Sequence, residues 1–411
     1  MARILVAGHG SRGDIQPLLA LALGLKAAGH DVEMAAPPDF CAWIAEQGLV
    51  AHPVGHNMRE LVETQGGEIM KSRLSVLRKM LALIQDNLIR LHAALIPLAE
   101  GFEMIVASSL QLSAFSAAEY WKIPYRYLVY CPSLVPSQAH MPMIWPWPVL
   151  NKELHQLAWF FELRGWEFAL GSVINRIRKD FDLPPARGLF RAFLSEQPLL
   201  AAYKELAPAA PDQHLFQVPA LHLPGRETAL AAELEDFLAA GEAPIYLGFG
   251  SMNDGKAAAT TEALVKLAQR SKARFVLSKG WGGLGQASLP ENIFLIDAVE
   301  HGLLFPRLRA VIHHGGAGTT SAAARAGVPQ MVIPHLLDQN YWAHAISTRG
   351  LGPPGLPKGQ LNADTLERGL QRLLRPEFQL RAQGLGRILM RQNGVAEAVA
   401  FIERGLLLAP K

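Results

Sequence analysis

The chain has 411 residues, of which 50% are hydrophobic and 18% are charged, and its formal net charge is +3. This length favours two domains over one, and the apolar content is sufficient for two hydrophobic cores. The small net charge, without a cluster of lysine and arginine interleaved with aromatic residues, argues against a nucleic-acid-binding protein.

The cysteines and the apolar runs bear on location. Cys41 and Cys131 are far apart and match neither a disulfide framework nor a metal-binding spacing, which is typical of a reducing compartment. The first apolar run, residues 4–7, is too short for a signal peptide, and no uninterrupted apolar run reaches membrane-spanning length. We therefore expect a cytoplasmic protein without transmembrane helices, for which contact with a membrane surface stays open.

The chain begins with a predicted strand–helix–strand unit, with strands over residues 3–7 and 31–36 and a helix over 15–28. The connecting loop, Gly8 to Gly13, matches the G-x-G-x-x-G pattern of dinucleotide-binding domains, so an oxidoreductase that binds NAD(P) or FAD is one hypothesis. The second strand ends at Ala36 without the acidic residue that binds the ribose hydroxyls, which weighs against this hypothesis.

The middle of the first half offers candidate contacts for an apolar ligand. A strand predicted over residues 104–107 places Ser108 and Ser109 at its carboxyl end, where ligands bind in open α/β sheets. From Cys131 to Asn151, five prolines alternate with methionine and tryptophan, a density that excludes helix and central strand. Such a loop could simply pack on the surface, but it suits a wall around a flat hydrophobic ligand. The side chains proposed to line this wall are Met143, Trp145 and Trp147.

The chain divides after a last predicted strand, residues 198–203. The stretch that follows is rich in proline and has no periodicity, which is typical of a linker. We therefore predict four segments: a first domain over 1–206, a linker over 207–225, a second domain over 226–390, and a helical segment over 391–411.

The stretch from Ala310 to Asn340 is the strongest motif. A short apolar strand is followed by His313, His314 and the glycines at 315, 316 and 318, and then by Thr319 at the start of an Ala-rich helix. A strand, a glycine turn and a helix N-terminus together present free N–H groups and a positive dipole to an anion. Asp338 and Gln339 follow the next predicted strand. The pattern indicates a phosphate site with a polar pair beside it.

Three motifs carry a resemblance to a known family: GSRGD in the first loop, GFGSM from Gly248 to Met252, and HHGGAGTT followed by DQ. Together they resemble the family 1 glycosyltransferases, in the branch of the sterol glucosyltransferases and the glycopeptide and macrolide glycosyltransferases. The resemblance covers the whole chain. It implies an α/β protein of the GT-B fold, in which two Rossmann-like domains face each other across a cleft.

The resemblance also implies roles for individual residues. Asp14 is the general base that takes the proton of the acceptor hydroxyl; it could instead merely cap the following helix, and His9 is the second candidate for the base. The last helix packs back on the first domain. The resemblance further implies three sets of contacts to the donor. The phosphates are bound by Ser251, His313, Gly315, Gly316, Gly318 and Thr319. The nucleobase is bound by the backbone of Val299, and the sugar by Asp338 and Gln339.

The predicted reaction follows from these roles. It is a metal-independent transfer, with inversion, of a sugar from a nucleotide diphosphate sugar to a lipophilic acceptor such as a sterol, polyketide or flavonoid. UDP-glucose is favoured over a TDP sugar, and we expect no cofactor and no metal. The alternatives are a nucleotide-sugar epimerase of the same fold and a non-catalytic binding protein, against which Asp14 and the Asp-Gln pair argue.

Overall fold

The computed structural model describes residues 1–65, 73–143, 145, 151–225, 229–250, 257–280, 289–297 and 299–407. It contains two parallel β-sheets, each flanked by helices, one in each half of the chain. Ser251 and Trp147, which the sequence proposes for the site, lie outside the described residues.

The first half contains seven strands. Its elements are β1 (Arg3–His9), α1 (Arg12–Ala27), β2 (Asp31–Ala36), α2 (Pro38–Glu46), β3 (Val50–Pro53), α3 (Met58–Gln65), α4 (Arg73–Leu98), β4 (Met104–Ser109), α5 (Ala114–Trp121), β5 (Tyr125–Val129), a 3-10 turn (Pro132–Leu134), α6 (Lys152–Asp180), α7 (Leu189–Leu194), β6 (Leu199–Ala201) and β7 (Phe216–Val218). The strands are parallel and lie in the order β3-β2-β1-β4-β5-β6-β7. The order reverses between β1 and β4, so a crevice opens at their carboxyl ends.

The second half contains a five-stranded parallel sheet. Its elements are α8 (Ala232–Ala239), β8 (Ile245–Gly248), α9 (Ala257–Ser271), β9 (Phe275–Ser278), β10 (Ile293–Ile296), α10 (His301–Leu304), a 3-10 turn (Phe305–Arg307), β11 (Ala310–His313), α11 (Ala317–Arg325), β12 (Gln330–Val332), α12 (Gln339–Thr348), a 3-10 turn (Lys358–Gln360), α13 (Ala363–Leu373), α14 (Pro376–Leu389) and α15 (Gly394–Leu407). The strand order is β10-β9-β8-β11-β12, and it reverses between β8 and β11.

The central strands are apolar over most of their length because helices cover both faces of each sheet. In β1, Leu5 packs in one core cluster while Ile4 and Val6 pack in another on the opposite face. This alternation explains why the strand reads as a continuous apolar run. The predicted strands at residues 3–7 and 31–36 are confirmed. The first helix begins earlier than predicted, at Arg12, and therefore includes Asp14 in its first turn.

The last helix, α15, packs on the first domain. Val395 and Val399 lie against Gly24 of α1, where a Cβ would not fit. The ring of Phe401 stacks on Phe216 of β7 with centroids 4.6 Å apart. Because β7 lies within residues 207–225, the first sheet extends into the segment predicted as the linker. Among the described helices, none has the length and apolar character to cross a bilayer.

Candidate functional site

The carboxylate of Asp14 is fixed by hydrogen bonds on both oxygens. Oδ2 accepts from the backbone N–H of Ser11 at 2.7 Å and from the Ser11 hydroxyl at 2.9 Å. Oδ1 accepts from the hydroxyl of Ser109 at 2.8 Å. The Ser11 contact is the reciprocal half of a capping box. Asp14 therefore caps α1 through one oxygen, while the other points to the end of β4.

Burial dominates the electrostatics of this carboxylate. It raises the pKa of Asp14 above its usual range, while the hydrogen bonds from Ser109 and Ser11 act in the opposite direction. A carboxylate with a raised pKa is a better proton acceptor than a free aspartate.

Two tyrosines hold the backbone around the carboxylate. The hydroxyl of Tyr127 donates to the carbonyl of Ser109, and that of Tyr130 donates to the carbonyl of Asp14 at 3.1 Å. The neighbouring Ser108 is buried, and its hydroxyl donates to Leu128 of the adjacent strand at 2.8 Å. Of the two serines proposed from the sequence, only Ser109 contacts Asp14, and its hydroxyl donates a hydrogen bond to the carboxylate.

The second candidate base lies in the interior. His9 is only 2% exposed, and its ring packs under Gly55, where a Cβ would lie 2.8 Å from Nδ1. Burial lowers the pKa of His9 to about 4. Asp14 is therefore the more accessible of the two candidate bases.

The side chain of His313 stabilises the glycine turn that follows β11. The N–H of Gly315 donates to His313 Nδ1 at 3.1 Å, so Nε2 carries the proton and donates to the amide oxygen of Gln330 at 2.9 Å. The His313 side chain is fully buried. This corrects the predicted role of His313 as a pyrophosphate ligand, because both ring nitrogens are already bonded inside the domain.

His314 is the histidine at the edge of the sheet. Its ring lies between the loops that follow β8 and β11, so that a Cβ at Gly250 would lie 3.2 Å from its Cε1 and a Cβ at Gly316 2.6 Å from its Nε2. Burial lowers the pKa of His314 to about 3, helped by His313 and His335. A neutral ring at this position can donate one hydrogen bond to an anion without carrying charge.

The N-terminus of α11 is open to a ligand. Gly315 has φ 94°, and a Cβ there would lie 2.6 Å from Val332 Cγ1, so only glycine fits. At Gly318, by contrast, a Cβ would meet nothing within 4 Å. The hydroxyl of Thr320 donates to Gly316 at 2.9 Å and closes the first turn. The N–H groups around Gly318 and Thr319 thus face open space at a positive helix end.

Asp338 and Gln339 lie at the start of α12 in the second domain. The amide oxygen of Gln339 accepts from the N–H groups of His335 and Leu336 at 2.7 and 3.1 Å. The indole N–H of Trp342 donates to Asp338 Oδ2 at 2.9 Å. Gln339 therefore uses its oxygen to close the turn before α12, while Asp338 is oriented by the helix that it begins.

The carboxylates of Asp338 and Asp14 lie close enough to interact across the cleft. Burial raises the pKa of Asp338 to about 6, and the negative charge of Asp14 adds to this effect. Sequence reasoning missed this pairing, because nothing in the chain reports how the edges of two separate sheets face each other.

Positive charge from the first domain also acts on the second domain. Arg12 follows the first loop, and its guanidinium lies 5.0 Å from the ring centroid of Trp43. It is near enough to His301 to lower the pKa of that ring, which burial brings to about 4; His314 and His222 act in the same direction. Sequence reasoning used the GSRGD motif only for its aspartate and overlooked this arginine.

The remaining proposed residues lie at the margins of the site. Val299 is half-buried against the core of the second domain, so its side chain packs there, and its nucleobase contact stays a prediction. Met143 and Trp145 are half-buried in the loop after β5, and Trp145 lies near Glu162 of α6. Within the described ranges, no group of three or more His, Cys, Asp or Glu side chains is arranged to hold a metal ion.

Comparison with known proteins decides the family. Residues 4–137 match the glycosyltransferase family 28 N-terminal domain, and residues 280–387 match the erythromycin biosynthesis protein CIII-like C-terminal domain. The chain is 35% identical to the vancomycin aglycone glucosyltransferase of Amycolatopsis orientalis over 406 residues, which cover 97% of each protein. The chain is a GT-B glycosyltransferase. The G-x-G-x-x-G turn thus lies in a glycosyltransferase domain, which removes the support for the oxidoreductase hypothesis.

Further relatives of this glycosyltransferase include a sterol glucosyltransferase and solved structures of the same fold. The sterol 3-beta-glucosyltransferase UGT80B1 of Arabidopsis thaliana is 30% identical over 98% of the chain and 68% of its own length. Among solved structures, the glycotransferase of kitacinnamycin superposes with a TM-score of 0.76 at 18% identity, covering 98% of this chain and 99% of that one. The glycosyltransferase VinC in complex with DTDP gives 0.69 at 21% identity, with 98% and 99% covered. At these identities the structures support the fold.

Proposed function

We propose that this glycosyltransferase moves glucose from a nucleotide diphosphate sugar, UDP-glucose in the first instance, to a hydroxyl of a lipophilic acceptor. The reaction proceeds in one displacement with inversion and without a metal. One observation carries the proposal: a half-buried, hydrogen-bonded carboxylate, Asp14, lies at the switch point of the first sheet, close enough to Asp338 of the second domain to interact with it. The open N-terminus of α11 lies in that same domain.

Asp14 is placed to act as the base. The acceptor hydroxyl attacks the anomeric carbon of the sugar, and its proton passes to Asp14 Oδ1. The bond between the anomeric carbon and the phosphate oxygen breaks in the same step, and the nucleoside diphosphate leaves. Because the acceptor enters on the side opposite to the leaving group, the configuration inverts.

The leaving diphosphate is stabilised by the second domain. Its developing negative charge meets the N-terminus of α11, where the N–H groups near Gly318 and Thr319 are free to donate. His314 adds a neutral donor, and Arg12 adds positive charge from the first domain. These dipoles and charges are fixed before the reaction and need little reorganisation as it proceeds.

The acceptor class is proposed from the relatives and the loop after β5. The names of two relatives specify a vancomycin aglycone and a sterol, which are both bulky acceptors. Met143 and Trp145 are half-buried in a loop that follows the carboxyl end of β5, two strands from Asp14. We propose that they form part of a wall against which a flat acceptor lies.

Turnover tests this proposal directly. The purified protein is incubated with UDP-glucose or TDP-glucose and with a sterol, a glycopeptide aglycone or a flavonoid, with and without EDTA, and both glycoside and released diphosphate are measured. We expect a β-glycoside from the α-linked donor, unaffected by EDTA and lost in Asp14→Asn while UDP still binds.

Other outcomes of this experiment separate the alternatives. Product from TDP-glucose alone would change the donor and keep the mechanism. Isomerised nucleotide sugar without any acceptor would identify an epimerase. Glycoside formation at the wild-type rate by Asp14→Asn would refute the assignment of the base.

A further inference from the structure

We infer that Ser109 is the positioning residue of the catalytic base: its hydroxyl donates to Oδ1 of Asp14 and orients the carboxylate. This role differs from acceptor binding, which the sequence predicted for Ser109. The inference rests on the proposed function, because it assumes that Asp14 takes the acceptor proton.

The two oxygens of Asp14 have different surroundings. Oδ2 is committed to Ser11, which donates both its backbone N–H and its hydroxyl. Oδ1 receives the Ser109 hydroxyl at 2.8 Å. An ionised carboxylate oxygen can accept two hydrogen bonds, so Oδ1 keeps capacity for the acceptor hydroxyl. Ser109 therefore fixes the direction in which the reacting oxygen points.

Ser109 is itself held in a conformation that serine seldom adopts. It has φ 61°, in the left-handed region, at the last position of β4, where it pairs in register with His9 of β1. Its carbonyl accepts from the buried Tyr127 hydroxyl, and the N–H of Leu110 donates to the carbonyl of His9 at 3.0 Å. Such a backbone persists only where surrounding contacts determine it, and it is common at active sites.

The groups that face Asp14 indicate a second role for Ser109, which is an effect on the ionisation of the carboxylate. Tyr127 is buried and Tyr130 is half-buried, and desolvation raises the pKa of both, so they remain neutral. Asp338 across the cleft carries negative charge, and the Asp14 carboxylate is itself buried. Burial and a like charge both disfavour ionisation, whereas hydrogen bonds from Ser109 and Ser11 favour it. The Ser109 hydrogen bond thus favours the ionised form of the base and opposes the effect of burial.

The pH dependence of turnover separates positioning from binding. We compare the wild type with Ser109→Ala, which lacks the hydroxyl, and with Ser109→Gly, which also relieves the left-handed backbone. Ser108→Ala is the control, because this hydroxyl donates to Leu128 and lies 3.3 Å from the Ser109 hydroxyl without bonding to Asp14. With the active donor and acceptor pair, kcat and KM are measured from pH 5 to pH 9.

Both Ser109 variants are expected to lower kcat about tenfold with KM unchanged. They are also expected to move the acid limb of the kcat/KM profile upward by roughly one pH unit, since a hydrogen bond to the ionised carboxylate is lost. Ser108→Ala should leave the limb in place. A raised KM without a moved limb would make Ser109 an acceptor-binding residue and overturn the inference, as would Ser109 variants with the wild-type profile.

A titration without turnover keeps this inference separate from the proposed function. In protein labelled with carbon-13 at the aspartate carboxyl groups, the Asp14 signal is the one that Asp14→Asn removes. Ser109→Ala should raise the pKa of that signal even if no tested substrate reacts. An unchanged pKa would refute the coupling, whereas a raised pKa without turnover by the wild type would refute only the proposed reaction.

Discussion

Replacing two glycines of one turn by alanine should have opposite effects. At Gly315, φ is 94°, and a Cβ would lie 2.6 Å from Val332 Cγ1 and 3.1 Å from the carbonyl oxygen of Gln339. At Gly318, the backbone is helical and a Cβ meets nothing within 4 Å. Gly315 is therefore needed by the fold, whereas Gly318 is free to serve a ligand.

The cost of Gly315→Ala has two parts. A left-handed conformation costs an alanine about 1–2 kcal/mol, and overpacking against Val332 and the backbone of Gln339 costs about 1–3 kcal/mol more. The total, about 2–5 kcal/mol, should lower the Tm of a domain of this size by roughly 2–4 °C for each kcal/mol. Gly318→Ala should leave stability unchanged or raise it by up to about 1 kcal/mol.

The assay combines thermal unfolding with calorimetric titration of UDP and TDP. Gly315→Ala should melt early, and Gly318→Ala should melt like the wild type but bind the nucleoside diphosphate at least tenfold more weakly, because a methyl group occupies the space of the phosphate. Wild-type affinity in Gly318→Ala would show that the phosphate does not approach this turn. A wild-type Tm in Gly315→Ala would refute the packing argument.

Two further predictions concern the histidine pair and the facing carboxylates. His313→Ala should lose about 3–5 kcal/mol of stability because it leaves Gly315 N–H and Gln330 unpaired beside a cavity, whereas His314→Ala should keep its Tm in thermal melts and weaken UDP binding in titrations. Burial raises the pKa of Asp338 from 3.8 to about 6, so this group destabilises the fold above pH 6 by roughly 3 kcal/mol, an effect that fades as the pH falls to about 4. Asp338→Asn should therefore melt above the wild type at pH 7.5 and converge with it near pH 4; parallel melting curves across this range would contradict the assigned pKa.

Local motifs made much of this site predictable. The strand, glycine loop and helix that carry Asp14 lie within a short stretch of chain, and the same holds for the turn at Gly315 and Gly318. In each case the residue types that permit the backbone conformation are adjacent in the sequence. The family resemblance supplied the assignment of the two halves to acceptor and donor.

The predictions that were wrong, and the contacts that were not predicted, depend on residues that are distant in the sequence. His313 and His314 are adjacent, and only the packing of β11 between β8 and β12 shows that the first is buried and the second reaches the sheet edge. The contact from Ser109 to Asp14 depends on the register of β1 against β4. The strand β7 has only three residues, too few for a periodic signal in a proline-rich stretch.

The position of α15 has a consequence for how the protein is made. The core of the domain that is synthesised first contains Phe401 and Ile402, near the end of the chain. The second domain is therefore synthesised completely before α15 can pack on the core of the first domain. Until then α1 and β7 expose the apolar surface that Val399 and Phe401 later cover. Removing residues 391–411 would leave this apolar surface of the first domain exposed permanently. The two domains therefore cannot be obtained by cutting the chain between them.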